Sequence, residues 1–535
     1  MYKLRFLLVI LVLTVVSCAK RGSITGGLKD TIAPIMRSSS PENYTTNFNV
    51  KEVRITFDEY IKIKDVNKQL IVSPPMEYAP VITPSNASKY INIRIRDTLK
   101  DNTTYSFNFG NSIQDNNEGN VYQQFKYVFS TGSYIDSLEI SGTIRDAIKN
   151  EVDNFVSVML YEVDEKFTDS IVYKQNPRYI TNTLDSLKTF KLENLKEGKY
   201  MLIALKDYNN NFKFNANKDK IAFRKQFITV PTDSVFELKL FNEIASFKGI
   251  RPYQASGNRL VVPHEGNAEN LKITLRNGTE DIPFKVTKFP EKDSLQLWFK
   301  PFKPDSLTVS MKKDKFDKEF TIKIKEFKKD TLSFTPKQSG TLHPREKFTI
   351  TSSLPIDNID QSKIKLINKD SVDIAYTTKY DEFNQEIMFD FKQEEMQTYN
   401  FKILPGALNT YLDTANDTLN YTLKTQTAGD YGNLKVNLRN ANRFPLIVEL
   451  TNPKGELIAS EYSEGETVIY FNGLRPGTFL LRAIYDDNKN KIWDTGSYLE
   501  KRQPEEVIYY RDTPNKDLLD VRTNWEVEQD FNLSP

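Results

Sequence analysis

The chain has 535 residues, enough for roughly three to five domains, and balances 73 Lys and Arg against 71 Asp and Glu. This near neutrality excludes the broad basic surplus of a general nucleic-acid binder. One cysteine, Cys18, and two histidines, His264 and His343, exclude thiolate zinc sites, intrachain disulfides and Cys–His catalysis, and they leave few options for a Ser–His–Asp triad. We therefore expect a protein without enzymatic activity, whose 34 Phe and 27 Tyr supply folded cores.

Residues 1–17 have the pattern of a secretion signal, because two early basic residues precede an apolar run that is too short to span a bilayer. The run ends in Val15-Val16-Ser17-Cys18, which resembles a bacterial lipobox. That resemblance implies cleavage before Cys18 and lipidation of its thiol. The alternative is an ordinary signal peptide followed by an unrelated cysteine.

Residues 18–32 are rich in Gly and polar residues and are expected to form a flexible tether behind the lipidated Cys18. No later segment is apolar enough to cross a membrane, so the lipid is the expected anchor in the outer membrane. Some diderm bacteria send lipoproteins to the cell surface when acidic residues directly follow the cysteine, whereas the first acid here is Asp30. The leaflet therefore stays open, with the cell surface slightly favoured over the periplasmic side.

Apolar and polar residues alternate along the rest of the chain, which is typical of half-buried antiparallel strands. Asn/Asp/Gly/Pro turns separate these strands, including the Asn277-Gly278 hairpin signal. The pattern predicts an all-β protein built from β-sandwiches of about 100 residues. The clearest alternating sets are Val53-Ile55-Phe57, Ile91-Ile93-Ile95, Tyr105-Phe107-Phe109 and Phe320-Ile322-Ile324.

Two internal repeats divide the body into five modules. Thr104-Tyr105-Ser106-Phe107 recurs as Thr398-Tyr399-Asn400-Phe401, and a Leu-x-x-Gly-x-Tyr/Phe segment at Leu195 recurs at Leu474. The predicted tandem array consists of module 1 (33–132), module 2 (135–240), module 3 (241–327), module 4 (328–427) and module 5 (430–535).

Three kinds of module follow from resemblance. Module 1 resembles the bacterial Ig-like domain of S-layer-type proteins, through Phe57-Asp58-Glu59, Ile113-x-Asp115 with Gly119-Asn120, and Phe129-Ser130-Thr131-Gly132. Module 4 resembles a degenerate copy that lacks the Phe-Asp-Glu and Gly-Asn elements. Modules 2 and 5 are similar to prealbumin-like or collagen-adhesin B-type sandwiches, whose mark is the Leu-x-x-Gly-x-Tyr/Phe corner. Module 3 is a β-sandwich of unassigned type.

Two loops carry oxygen-bearing side chains at alternating positions, a spacing that suits Ca²⁺. No cofactor is required by the expected function, but structural calcium is one interpretation of these loops. The other is an Asx-rich turn whose side chains bond local amides, since the central Gly and the closing Glu of an EF-hand loop are missing. The residues are Asp207, Asn209, Asn211 and Asn215 in module 2, and Asp486, Asn488, Asn490 and Asp494 in module 5.

A tripeptide of Asp, then Ser or Thr, then an aliphatic or small residue recurs more often than composition predicts. It resembles the acceptor signal of a periplasmic O-glycosylation system of some diderm bacteria, although Asp-Ser/Thr is also good turn chemistry before a strand. The predicted glycosylation sites are Thr98, Ser137, Ser186, Ser294, Ser306, Thr331 and Thr418.

Module 3 carries a basic surplus, with 18 Lys and Arg against 11 Asp and Glu over residues 245–329. A solvated strand face explains this surplus more simply than a polyanion-binding face. Its aromatics, including Trp298, Phe299 and Phe302, fit either a core or a sugar-stacking platform.

These features predict a non-enzymatic outer-membrane lipoprotein that acts as a protein-interaction scaffold of an envelope complex, of the type that assembles or exports outer-membrane proteins. Its expected partners are an outer-membrane barrel or other lipoproteins, and no nucleic acid. The alternative is a free-standing surface adhesin or glycan-binding lipoprotein. A carbohydrate-active enzyme would need a carboxylate pair in a cleft, and no catalytic motif points to one.

Overall fold

The computed structural model describes residues 29–184, 188–290, 292–512 and 517–534. The chain divides into two compact units, Met1–Ser137 and Leu138–Pro535. Strands dominate both units, and the α-helices in the described part are the single turns α1 (Val66–Gln69) and α2 (Ile171–Lys174). None of the helices in these residues has the length and apolar character that crossing a membrane requires. The predicted all-β class, with tandem β-sandwich modules, is confirmed.

Unit 1 contains module 1, whose two sheets follow the predicted alternation. Val53, Ile55 and Phe57 are buried while Arg54 between them is exposed, and Phe48 stacks on Phe129 with ring centroids 3.9 Å apart. One sheet has the order β1-β2-β5-β4 with β7 pairing β2, and the other has the order β3-β6-β8. The strands are β1 (Met36–Ser40), β2 (Glu52–Ile63), β3 (Ile71–Ser73), β4 (Val81–Thr83), β5 (Ser88–Arg94), β6 (Thr104–Asn108), β7 (Ile113–Asp115) and β8 (Lys126–Ser130).

Module 2 is built on one eight-stranded sheet of order β11-β10-β13-β14-β16-β9-β12, with β15 pairing β13. Its first and last strands, β9 and β16, pair in parallel, and Gly142 allows this because an added Cβ would lie 2.1 Å from the carbonyl oxygen of Phe236. The strands are β9 (Leu138–Asp146), β10 (Ser157–Glu162), β11 (Tyr179–Asn182), β12 (Thr189–Leu195), β13 (Gly198–Lys206), β14 (Lys220–Phe223), β15 (Ile228–Val230) and β16 (Val235–Asn242).

Module 3 packs two sheets around Leu297, Phe299 and Val309. Their orders are β17-β19-β23-β22, with β18 pairing β19, and β21-β20-β24-β25. The strands are β17 (Lys248–Gly249), β18 (Tyr253–Ser256), β19 (Arg259–Glu265), β20 (Lys272–Asn277), β21 (Glu280–Asp281), β22 (Phe284–Lys288), β23 (Ser294–Phe299), β24 (Ser306–Lys313) and β25 (Phe316–Lys323).

Module 4 surrounds an aromatic cluster in which the Phe348 and Phe401 rings lie 4.7 Å apart. Its sheets have the orders β26-β28-β32-β31, β27-β35-β33-β30 and β29-β34. The elements are β26 (Phe334–Pro336), β27 (Gly340–Thr341), β28 (Phe348–Ser352), β29 (Ile356–Ile359), the 3₁₀ turn Gln361–Lys363, β30 (Ile364–Ile367), β31 (Tyr376–Asp381), β32 (Glu386–Phe391), β33 (Thr398–Ile403), β34 (Leu408–Thr410) and β35 (Leu419–Lys424).

Module 5 repeats the parallel pairing of first and last strands seen in module 2, here between β36 and β43. Its sheets have the orders β39-β36-β43 and β38-β37-β40-β41, with β42 pairing β40. The elements are the 3₁₀ turn Ala428–Asp430, β36 (Gly432–Arg439), β37 (Leu446–Thr451), β38 (Leu457–Ser463), β39 (Val468–Leu474), β40 (Gly477–Tyr485), β41 (Val507–Tyr509), β42 (Leu518–Val521) and β43 (Glu526–Asn532).

The repeat shared by modules 1 and 4 has the same hydrogen bonds in both copies. The Tyr105 hydroxyl accepts the amide of Lys100 at 2.9 Å, and the Tyr399 hydroxyl accepts the amide of Glu394 at 2.7 Å. Each tyrosine therefore fixes the chain five residues before it, which explains why this short motif recurs in sequence.

The four modules of unit 2 contact one another in a closed circuit. Each junction includes polar side-chain pairs, and module 5 contacts module 2 although more than 250 residues separate the contacting positions. One pair from each junction is as follows: Asn217 with Glu265 (3.1 Å) between modules 2 and 3, Lys285 with Glu382 (3.0 Å) between modules 3 and 4, Arg345 with Glu461 (2.6 Å) between modules 4 and 5, and Lys501 with Asp169 (2.5 Å) between modules 5 and 2.

His343 lies at the junction of modules 4 and 5, edge-on against the Tyr431 ring at 4.9 Å. Burial lowers the pKa of His343 from 6.5 to about 4, and the nearby charges of Arg475 and Arg345 act in the same direction. The ring is therefore neutral in the folded chain at neutral pH. Since the unfolded chain takes up this proton below about pH 6.5, the contribution to stability is complete above that pH and is lost as the pH falls towards 4.

We expect wild type to lose about 1–3 kcal/mol more unfolding free energy than His343→Gln between pH 6.5 and pH 4, because the variant has no proton to take up. Urea unfolding of both proteins at the two pH values measures this difference. Carboxylates titrate equally in both proteins and cancel. Equal losses of unfolding free energy in the two proteins would contradict the assignment of this pH dependence to His343.

Candidate functional site

The strand β13 is buried along both faces, which is unusual for a sheet that covers one core. Tyr200, Leu202 and Ala204 face the core of module 2. Met201, Ile203 and Leu205 point to the opposite face and are also buried. A second layer must therefore cover this face of the sheet.

Residues 495–503 of module 5 form part of that cover. The Tyr498 side chain is fully buried, its ring lies 5.3 Å edge-on from the Phe223 ring, and its hydroxyl donates to the carbonyl of Asp169 at 3.1 Å. Gly496 packs so closely on module 2 that an added Cβ would lie 2.5 Å from the Phe241 ring. This segment, the docking segment, is thus held by both apolar packing and directed hydrogen bonds.

Further polar contacts surround the docking segment. The Tyr498 amide donates to the Glu243 carboxylate, and the Gln503 side chain donates to the carbonyl of Phe223 at 2.8 Å. Burial raises the pKa of Glu243, and the amide of Tyr498 opposes that rise. Lys501 reaches Asp169 and also lies over the Tyr498 ring, 4.1 Å from its centroid.

The equivalent strand of module 5, β40, has a reciprocal role. Arg482 on its outer face is 8% exposed and pairs with Glu449 at 2.6 Å. It also donates to the carbonyl of Ile148 in module 2 at 2.9 Å, and the Tyr509 hydroxyl donates to the same oxygen at 2.7 Å. The two Gly-x-aromatic strands of the second repeat therefore both contribute to the contact between modules 2 and 5.

The predicted calcium loop of module 5 leads directly into the docking segment. Asp486 is 1% exposed, and its carboxylate accepts the amides of Asn490 at 3.1 Å and Lys491 at 2.9 Å. Asp494 accepts the side-chain amides of Asn488 and Asn490, each at 2.7 Å. These are the local bonds of an Asx-rich turn.

Glu505 closes this loop and was missed by the sequence reasoning. Its carboxylate accepts the amides of Asp487 at 2.8 Å and Asp494 at 3.0 Å. Burial raises the pKa of Glu505, and the charges of Asp494 and Asp486 also raise it while the two amides oppose the rise. Because the docking segment separates Glu505 from the Asx motif, the spacing of the motif gave no signal that linked them in sequence.

The loop of module 2 uses its side chains in the same way. Asp207 accepts the amides of Asn209 at 2.9 Å and Phe212 at 2.7 Å, and the Asn211 side chain accepts the amide of Lys213 at 2.9 Å. Asp219, which is fully buried, takes the closing position by accepting the amides of Tyr208 and Asn215.

In the described part of the chain, no group of three or more His, Cys, Asp and Glu side chains is arranged to hold a metal ion. Calcium at either loop therefore stays a prediction. The hydrogen bonds within these loops position the chain that follows each of them. In module 5 that chain is the docking segment.

The predicted glycosylation sites differ in accessibility. Ser294 is 7% exposed and forms part of β23, so it is the position of this set that a glycosyltransferase reaches least easily. Ser306 is half-buried, and Ser186 and the lipidation site Cys18 lie outside the described residues. The exposed positions are Thr98, Ser137, Thr331 and Thr418.

The aromatic residues of module 3 are mostly core. Trp298 and Phe299 are fully buried, and the Trp298 indole donates to the Thr287 hydroxyl at 2.9 Å. Phe302 is 37% exposed. The sugar-stacking interpretation of Trp298 and Phe299 is therefore wrong, because neither ring face is accessible.

Residues 30–131 match the family model described as the bacterial Ig-like domain. This match confirms the resemblance predicted for module 1. The lipid anchor and the prealbumin-like character of modules 2 and 5 stay predictions. No curated protein matches the chain.

Several solved structures of multi-domain β proteins are similar to the chain at low identity. Domains 1–6 of the surface layer protein SbsC are 9% identical, with 90% of this chain and 67% of that chain covered and a TM-score of 0.16. The Bacillus anthracis TIE protein is 10% identical, with coverages of 95% and 76% and a TM-score of 0.14. The BSP domain of a biofilm associated protein is 7% identical, with coverages of 76% and 99% and a TM-score of 0.16. Values this low carry no argument about function.

Tyr498→Ala should weaken the contact between modules 2 and 5 by about 3 kcal/mol, because it removes a buried aromatic ring and its hydrogen bonds. We expect a lower melting temperature and a larger radius of gyration in small-angle X-ray scattering. Leu499→Ala is the matched control, since Leu499 is 61% exposed and should leave both values unchanged. An unchanged radius of gyration and melting temperature in Tyr498→Ala would show that the docking segment does not hold the two modules together.

Asp486→Ala should lower the unfolding free energy by about 1–3 kcal/mol in chelator, because two amides of the loop lose their acceptor. Asp487→Ala is the control, since Asp487 is exposed and its pair with Arg443 lies at the surface. Denaturant unfolding with chelator or millimolar Ca²⁺ measures both effects. A loss seen only in the presence of Ca²⁺ would contradict the local role and establish the calcium site instead.

Proposed function

We propose that the chain is a non-enzymatic lipoprotein, anchored in the outer membrane through Cys18, that acts as a protein-interaction scaffold in an envelope complex. The complexes that fit best are those that assemble or export outer-membrane proteins. The lipobox-like residues before Cys18 and the bacterial Ig-like domain at 30–131 support the envelope location. Neither feature by itself distinguishes a scaffold from an adhesin.

The docking of module 5 on module 2 is the observation that favours a scaffold. An adhesin gains reach by adding modules end to end. In unit 2, by contrast, the last module, module 5, buries part of its surface against the first, module 2. Tyr498 and Arg482 are buried where the two modules meet, and each has a hydrogen-bond partner on module 2. Such a closed arrangement holds several module surfaces in fixed positions, which is what a subunit with more than one partner needs.

Surfaces suited to partners are present on both units. Module 5 exposes Tyr470 and Trp525, and module 1 exposes Tyr60 and Tyr78. Aromatic side chains of this kind are enriched at protein interfaces. The proposed partners are an outer-membrane barrel and other lipoproteins. No cofactor is part of the proposal.

Affinity isolation of the tagged, lipidated protein from membranes in mild detergent should recover a barrel protein and other lipoproteins in stoichiometric amounts. Cys18→Ser, exported with the same signal, should lose these partners because it is no longer held at the membrane. The matched control is Leu499→Ala, which should retain them. Recovery of the tagged protein alone would overturn the scaffold and leave the free-standing adhesin or glycan-binding lipoprotein as the leading function.

A further inference from the structure

Module 3 is an incomplete sandwich with an open side between the edge strands β20 and β22. β22 is the last strand of its sheet, and β20 is bordered on its outer side by the two-residue β21, which pairs only with Arg276 and Asn277. The opening, which we call the β20–β22 cleft, has a volume of about 870 Å³. That is large for a solvent gap and falls in the range of ligand sites.

The walls of the cleft are side chains that would be core in a complete sandwich. They belong to the module 3 core, and all of the apolar ones except Leu295 are only partly buried, so the core is accessible from this side. On the far side the cleft meets the β31–β32 turn of module 4, whose Phe383 is 45% exposed. The apolar lining consists of Leu271, Ile273, Phe284, Val286 and Leu295.

The backbone of β22 presents free hydrogen-bonding groups to the cleft. In an antiparallel edge strand, alternate residues direct their N–H and C=O groups away from the sheet. The Lys288 amide donates outward, to the carbonyl of Phe383 at 2.8 Å, which marks Val286 and Phe284 as the other outward-facing residues. The turn of module 4 thus occupies one position of this edge and leaves the next two open.

The opposite edge has the same arrangement. The Leu275 carbonyl faces away from β24 and accepts the amide of Ile282 at 2.8 Å, so Ile273, two residues earlier, also directs its backbone groups into the cleft. An extended chain entering the cleft therefore meets backbone partners on both sides and an apolar floor. These are the elements of strand addition, in which main-chain bonds supply affinity and alternate side chains fill pockets.

The charge at the cleft selects the occupant. Three lysines, Lys272, Lys288 and Lys292, line the cleft together with two carboxylates, Glu269 and Asp293, so the lining is basic by one charge. The surrounding segment 245–329 carries 18 basic against 11 acidic residues. Acidic side chains flanking an apolar strand would complement this field, whereas a basic strand would be repelled.

We propose that the β20–β22 cleft is a strand-acceptor site that binds an extended segment of a partner protein with alternating apolar and acidic residues. The segment pairs with the backbone of β22 and places its apolar side chains against Phe284 and Val286, while its carboxylates complement the basic surplus of module 3. This inference rests on the proposed scaffold function and names the kind of partner segment that it takes.

The test uses the purified full chain and a labelled synthetic peptide in which Val and Glu alternate. We expect saturable binding by fluorescence anisotropy, together with slower hydrogen exchange at the amides of Phe284 and Val286. Val286→Pro removes an outward amide without breaking the β22–β23 ladder and should weaken binding about tenfold or more. The charge reversal Lys272→Glu/Lys288→Glu should weaken it similarly if Val286→Pro fails to fold.

Lys323→Glu is the matched control, because Lys323 is exposed on β25 outside the cleft and should bind the peptide as wild type does. A peptide alternating Val and Lys should not bind. The proposal is overturned if the Val/Glu peptide shows no saturable binding, or binds without protecting the β22 amides. The fatty acid dodecanoate is tested for binding in parallel. The proposal is also overturned if dodecanoate binds and the Val/Glu peptide does not, because the cleft would then be a lipid site. Since the assay contains no membrane partner, its failure leaves the affinity isolation to decide the scaffold function separately.

Discussion

The arrangement of unit 2 depends on the need to cover a sheet that is apolar on both faces. Strand β13 buries Leu202 towards its own core and Ile203 away from it, and leaving the second set in water would cost roughly 1.5–3 kcal/mol for each large side chain. The docking segment of module 5 supplies part of that cover. The return of the chain from module 5 to module 2 is thus a consequence of hydrophobic burial, and the polar contacts determine where the segment sits.

Those polar contacts are specific because they are buried. Arg482 would be costly to desolvate without Glu449 and the carbonyl of Ile148, and the docking of module 5 on module 2 supplies the second of these partners. The salt bridges that join modules, including Lys501 with Asp169 and Lys285 with Glu382, are more exposed than the Arg482–Glu449 pair and contribute less. The buried contacts of Tyr498 and Arg482 therefore constrain the junction of modules 2 and 5, and the Asx-rich loop around Asp486 fixes the chain that leads into the docking segment.

Module 3 differs from its neighbours in leaving part of its core open. In module 2, the equivalent surplus of apolar surface is covered from within the chain, whereas no element of the described chain fills the space between β20 and β22. A closed junction and an open cleft in the same unit are compatible with a scaffold that is rigid internally and adaptable at one site. The lysines of module 3, which the sequence suggests as a solvated face, have a more specific role only where three of them line this cleft.

The sequence alone determined the all-β class, the strands and the repeats, because alternation of period two and turn residues are local signals. The alternating set Val53-Ile55-Phe57 occurs in the structure as the pattern predicts, and the repeated Tyr105 and Tyr399 make equivalent hydrogen bonds. The alternation predicted half-buried strands, so the second buried face of β13 and the layer that covers it were not predicted. The tertiary structure decided that cover, the partnership of Glu505 with the Asp486 loop, and the cleft between β20 and β22. The cover joins residues more than 250 positions apart, and the other two features depend on how a loop and two edge strands pack. Local periodicity carries no information about either kind of contact.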